Sequence, residues 1–195
     1  TGRATVRAYQ ITGSSTMSPD SGGLAPAGTM TWGASFLDLD GFAAPSGGSR
    51  WRSSNAAVAT IDSLTGFTTG VSEGTALIIV ERHLRQPEWF YADSAFLLVI
   101  ATPTITSGTS LTTGPAAQQG IYINFTDASS TETGYQVERN VNGGAFTTRA
   151  TTAANAVQFF DVKSGLINGA TYGYRIRACN ANGCGAASNT VFVVS

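Results

Sequence analysis

The strongest constraint on this chain is its punctuation: short apolar or alternating runs recur from end to end between Gly, Asn, Asp and Pro, and no stretch of eleven or more residues keeps a 3.6-residue period. A strand buried on one face needs alternation, and a helix needs the longer period, so the chain is expected to be nearly all β. In the first half the pattern predicts strands at 6–11, 29–37, 58–61, 75–80 and 94–100. Gly22-Gly23, Asp40-Gly41, Gly47-Gly48, Thr65-Gly66 and Glu73-Gly74 read as turns or loop glycines between them. In the second half Ile121, Ile123 and Phe125 alternate with Tyr122 and Asn124, a half-buried strand. Further strands are predicted at 135–139, 145–149, 157–162, 172–179 and 190–194. Val141-Asn142-Gly143-Gly144 joins two of them, its Asn-Gly supplying the positive φ of a tight hairpin.

The halves meet at Ala101-Thr102-Pro103-Thr104. At 195 residues there is room for two units of about 100, the usual size of an immunoglobulin-like sandwich. The expected fold is therefore all-β, two tandem immunoglobulin-like β-sandwiches, with domains at 1–101 and 102–195. A composition 42% hydrophobic and only 12% charged is unlike that of a disordered segment. A net charge of −1 gives no basic field for nucleic acid. The longest apolar run, Ala95 to Ala101, is far shorter than the ~20 residues of a membrane-spanning helix, and no basic-then-apolar signal segment is expected. Neither nucleic-acid binding nor membrane insertion is expected.

The succession Trp51-Arg52-Ser53-Ser54-Asn55, Val58-Ala59-Thr60-Ile61-Asp62, Thr65-Gly66, Thr69-Gly70-Val71 and Gly74-Thr75-Ala76 resembles the bacterial Ig-like domain, group 2. The resemblance implies that Trp51 is a core aromatic, that Val58 and Ile61 plug the sandwich, and that Gly70 and Gly74 permit the turn into the next strand. In the second half, Asp127-Ala128-Ser129, Glu132-Thr133-Gly134-Tyr135, Val137-Glu138-Arg139, Leu166, Tyr172 and Tyr174-Arg175-Ile176-Arg177-Ala178 resemble a fibronectin type III domain. That likeness implies a tyrosine corner, in which the Tyr172 hydroxyl bonds to backbone upstream. Phe125 stands where this family usually carries a tryptophan, and no Arg-Gly-Asp triplet occurs.

Cys179 and Cys184 bracket Asn180-Ala181-Asn182-Gly183, a hairpin turn that brings opposed residues within disulfide reach. A bridge across so short a loop is worth roughly 2 kcal/mol on the chain-entropy model and would place the chain outside the cytosol. The competing zinc reading needs four ligands, and the chain has one histidine and no further cysteine. No metal and no cofactor is therefore expected. That histidine, His83, is the only imidazole for a triad, and no Gly-x-Ser-x-Gly elbow or phosphate loop accompanies it. A non-catalytic protein is expected.

Arg82, His83, Arg85, Trp89, Phe90 and Tyr91 form the candidate binding or interface patch, aromatics beside arginines. On a carbohydrate-binding reading Trp89 and Tyr91 stack on sugars. On the other reading, 89–91 pack between the domains or open the strand that runs on to Ile100. Asp38-Leu39-Asp40-Gly41 resembles part of a calcium loop but lacks the remaining ligands, so it reads as a turn. Val6, Ala8 and Ile11 mark a segment that either completes its own sheet or adds to a second copy. Together these features predict an extracellular or cell-surface structural or adhesive protein, a filament or surface subunit whose partner is protein, copies of itself included, or a surface polysaccharide. The alternative is a carbohydrate-binding or spacer module of a secreted enzyme, or a phage virion protein.

Overall fold

The computed structural model describes residues 14–37, 41–43, 48–84, 89–112, 115 and 119–195, with backbone alone for 83, 84, 89 and 90. The expected strand at 6–11, the 38–40 motif, Gly47 and Arg85 lie outside the described residues. Every regular element described is a strand, apart from one 3-10 turn at Lys163–Gly165.

The first half holds β1 (Ser15–Ser18), β2 (Ser21–Leu24), β3 (Thr29–Thr31), β4 (Gly33–Phe36), β5 (Ser49–Ser53), β6 (Ala59–Ile61), β7 (Phe67–Gly70), β8 (Gly74–Leu84) and β9 (Trp89–Val99). A four-stranded sheet in the order β2-β9-β8-β5 lies across the core from β3-β7-β6, with the β1-β4 pair beside them. Ala76, Ile78 and Val80 of β8 and Ala95, Leu97 and Val99 of β9 point into this core, where Trp32, Trp51 and Val58 meet them.

The predicted strand at 29–37 is two strands with different partners: β3 pairs with β7, while β4 pairs with β1. Trp32 stands at the changeover, its N–H donating to the Gly66 carbonyl at 3.2 Å. Met30, Trp32, Ala34 and Phe36 nevertheless all turn to the core, so the alternation survives the change of partner. Gly22 and Gly23, expected as a turn, lie inside β2, paired parallel to Leu97 and Leu98. A Cβ at Gly22 would lie 2.8 Å from the Met30 sulfur, so the glycine serves close packing within a strand. At Gly66 the turn reading holds: φ is +72°, and a Cβ would meet the Trp32 carbonyl at 2.9 Å. The Asp62 carboxylate accepts the N–H groups of Leu64 and Thr65 and the Thr65 hydroxyl, which hold it below its ordinary pKa and fix that turn.

The second half holds β10 (Ile105–Leu111), β11 (Gly120–Phe125), β12 (Gly134–Val141), β13 (Thr147–Ala153), β14 (Gln158–Val162), β15 (Thr171–Asn180), β16 (Gly183–Cys184) and β17 (Val191–Val194). One sheet runs β10-β11-β14; the other runs β13-β12-β15, with β17 and the short β16 both paired to β15. This is the order of an immunoglobulin-like sandwich, and it is the arrangement that the fibronectin type III resemblance implies. Ile121, Ile123 and Phe125 are buried as the alternation requires, and Phe125 packs edge-on against Tyr135 with ring centroids 5.1 Å apart. Asn142 (φ +47°) and Gly143 (φ +77°) make the β12–β13 hairpin. The Tyr172 hydroxyl accepts the Ile167 N–H at 2.6 Å, forming the tyrosine corner. The chain thus consists of two tandem immunoglobulin-like sandwiches with separate cores.

Candidate functional site

The two cores touch through the end of β9 and Ile100 just after it, whose alternate side chains serve both. Leu97 and Val99 enter the first cluster, while Leu98 and Ile100 enter the second with Ile105, Tyr135 and Ile176. From the second half the β15–β16 hairpin answers them: a Cβ at Gly185 would collide with Ile100, and one at Gly23 would lie 3.1 Å from the Cys184 carbonyl. Small residues are needed on both sides for this contact. Cys179 and Cys184 oppose each other in the hairpin and are joined by a disulfide.

Around the same junction, the bend before β8 places Glu73 where its carboxylate bridges the halves. Its Oε1 accepts the Ala101 N–H at 2.7 Å, and its Oε2 accepts the Ser130 N–H at 2.8 Å and the Ser130 hydroxyl at 2.7 Å. Partial burial works against the charged form. The donors at Ala101, Ser129 and Ser130 outweigh it and bring the carboxyl down to about 2. Within the linker Pro103 is buried, and Thr104 exchanges hydrogen bonds with Thr126 of the second half.

A second polar cluster sits wholly within the second sandwich. Asp161 of β14 is fully buried and accepts Arg139 Nη1 at 2.8 Å, the Tyr174 hydroxyl at 2.8 Å, and Arg149 through Nη2 at 2.9 Å and Nε at 3.0 Å. Arg149 reaches it because β13 carries an extra residue here: Val137 pairs with Ala150 and Glu138 with Thr148. Such a bulge re-aims a side chain and interrupts an edge that would otherwise accept another strand. Burial, then the charge of Asp161, push the Tyr174 phenol upward, so it stays a donor to the carboxylate.

The expected arginine and aromatic patch is divided. Arg82 pairs with Tyr91 and His83 with Phe90 in the β8–β9 hairpin. Arg82 and Tyr91 are buried in the first core: the guanidinium lies 5.1 Å from the Phe36 ring centroid, and Tyr91 meets the same ring edge-on at 5.9 Å. Tyr91 therefore presents no stacking face, which corrects its pairing with Trp89 as a sugar platform. The reason is register. Tyr91 lies two and four residues before Asp93 and Ala95 on the strand face that leads into the core. Residues 89–91 belong to a strand, as the competing reading had it.

Among the described residues no group of three His, Cys, Asp or Glu side chains is placed to hold a metal ion. Three surface crevices of about 230 to 250 Å³ fall below the ~300–1,000 Å³ typical of small-molecule sites. One of them lies at the junction, between Gly22, Phe96 and Leu98 on one side and Asn182 and Cys184 on the other.

No family model matches the chain, and no curated protein sequence does. Solved structures do. A two-domain fibronectin type III segment of chicken tenascin is 12% identical, with a TM-score of 0.41, over 93% of this chain and 98% of that one. Fibronectin(III)-like modules of CbhA from Clostridium thermocellum are 16% identical, with a TM-score of 0.40, over 92% of each chain. Domains A168-A170 of titin are 13% identical, with a TM-score of 0.36; the match takes in 89% of this chain and only 61% of that three-domain segment. All three TM-scores are below 0.5, and the fold described above rests on the strand order and cores of this chain.

Proposed function

We propose that this chain is a non-catalytic structural module of the extracellular space or cell surface, a paired sandwich that sets the spacing and direction of what it joins. The observation that carries the reading is the Glu73 bridge. A side chain of the first half is spent on the linker and on Ser130 of the second, which is what a fixed relation between the halves requires. The Cys179–Cys184 disulfide supports an oxidising compartment. Within this reading the first half is a bacterial Ig-like unit of group 2 type, and the segment of Val6, Ala8 and Ile11 joins copies of the chain end to end.

Spin labels at Leu64→Cys and Ile167→Cys, both on exposed positions in different halves, test the fixed relation. One narrow distance distribution is expected, broadened by Glu73→Ala. A wild-type distribution as broad as the variant's overturns the proposal. Filaments in electron micrographs, lost when 1–11 are deleted, are the outcome expected of end-to-end joining.

A further inference from the structure

The outer face of the β10-β11-β14 sheet carries two rows of unlike chemistry. In the first, Tyr122 and Phe160 are directly opposed, half-buried, and stacked with ring centroids 4.3 Å apart and planes 26° from parallel. Phe160 lies low over Gly120, where a Cβ would come within 2.7 Å of its ring. The glycine clears the floor for the ring and holds the pair in place before anything binds, which lowers the entropic cost of binding. In the second row the Asn124 amide donates to the Ser107 hydroxyl at 2.9 Å, and the Gln158 amide donates to the Asn124 carbonyl oxygen at 2.8 Å. Each amide group has two N–H donors, so this ladder leaves one on each residue, and the Gln158 carbonyl, for a ligand.

We infer that this face binds a neutral polysaccharide, the aromatic pair meeting the C–H face of a sugar ring and the amide ladder its hydroxyls. Neither row holds an Asp, Glu, Lys or Arg, so nothing on it matches an anionic polymer. Acyl chains, or the apolar face of a second copy, would cover the amides without pairing them and lose about 1–3 kcal/mol for each stranded group. A sugar chain has apolar faces and hydroxyls at the spacing the strand offers, about 7 Å between Tyr122 and Asn124. The site is independent of the junction, so failure of either proposal leaves the other standing.

The test is depletion of the purified chain from solution by insoluble cellulose, chitin, β-1,3-glucan and mannan, with heparin-agarose as the anionic comparison. Retention is expected on at least one neutral polymer and is competed by its soluble oligosaccharide. Tyr122→Ala is expected to weaken retention about tenfold, or 1.4 kcal/mol. Tyr122→Trp keeps it, and Phe192→Ala, on an exposed residue of the opposite sheet, leaves it unchanged. Thermal unfolding of each variant establishes that it is folded. No retention on any neutral polymer, equal retention by folded Tyr122→Ala, or concentration-dependent dimerisation abolished by Tyr122→Ala without retention of any glycan overturns the inference.

Discussion

Asp161 and Glu73 are both carboxylates satisfied by several donors, yet they do opposite work. Asp161 is fully buried among two guanidinium groups and a phenol that all come from the opposite sheet, so it ties the two sheets of one sandwich together from within. Glu73 stands at a rim, meets only neutral donors, and ties one sandwich to the other. A charge taken out of water demands cations beside it; one that keeps part of its hydration can be held by amides and hydroxyls. The contrast predicts that breaking the first costs stability and breaking the second costs orientation.

The largest effect is expected from Asp161→Ala. It leaves the Arg139 and Arg149 guanidinium groups facing each other with no anion between them, and it removes the acceptor of the Tyr174 hydroxyl. Breaking one side of a buried pair in this way costs about 3–5 kcal/mol. Urea unfolding, followed by tyrosine and tryptophan fluorescence, measures it. A loss under about 1 kcal/mol would mean the pair is no stronger than a surface one, and the contrast with Glu73 would fall.

A smaller loss, about 2 kcal/mol on the chain-entropy model, is expected from the double change Cys179→Ser and Cys184→Ser, because the bridged residues are only five apart in sequence. Position sharpens the comparison here. The hairpin that the disulfide closes is the part of the second half that packs against Gly23 and Ile100. The double variant is therefore expected to broaden the label distances as well as lower the unfolding midpoint, whereas Asp161→Ala lowers the midpoint alone.

The parts of this architecture that were legible in the sequence are the local ones. Alternation at Ile121-Tyr122-Ile123-Asn124-Phe125 gave the inward face of β11, Asn142-Gly143 the hairpin, and Tyr172 the corner, since each depends on neighbours along the chain. Pairing between distant segments was not legible. Alternation through Met30, Trp32, Ala34 and Phe36 says which side faces inward but not that the strand changes partner at Trp32. Gly22-Gly23 looks the same whether glycine makes a turn or admits a neighbour. β10 carries few large apolar residues, so Ile105–Leu111 gave little periodic signal. Among candidate sites, the disulfide followed from hairpin spacing. The Tyr122–Phe160 face and the Glu73 bridge escaped because their members lie 38 and 57 residues apart and meet only through tertiary pairing.

The smallest stability effect, and the most specific one, concerns Glu73→Gln. The amide keeps one oxygen acceptor and turns an NH2 toward donors at Ala101 or Ser130, so at neutral pH the cost is about 1 kcal/mol. The difference in pH dependence between wild type and Glu73→Gln isolates this bridge from the other carboxylates, Asp62 included, whose pKa is also lowered. The Glu73 carboxyl titrates near 2 in the folded protein against an ordinary value of 4.5. A depressed folded value means stabilisation fully present above about pH 4.5 and lost as pH falls toward 2. After allowance for solvent screening, that window is worth on the order of 1–2 kcal/mol. Wild type should therefore lose stability faster than Glu73→Gln between pH 4.5 and 2, the two curves converging at the acid end, and its label distances should broaden over the same interval. Parallel curves would show that the carboxylate contributes no more to the junction than a neutral amide does. The fixed relation of the halves would then rest on the packing of Gly23, Leu98 and Ile100 against the second half.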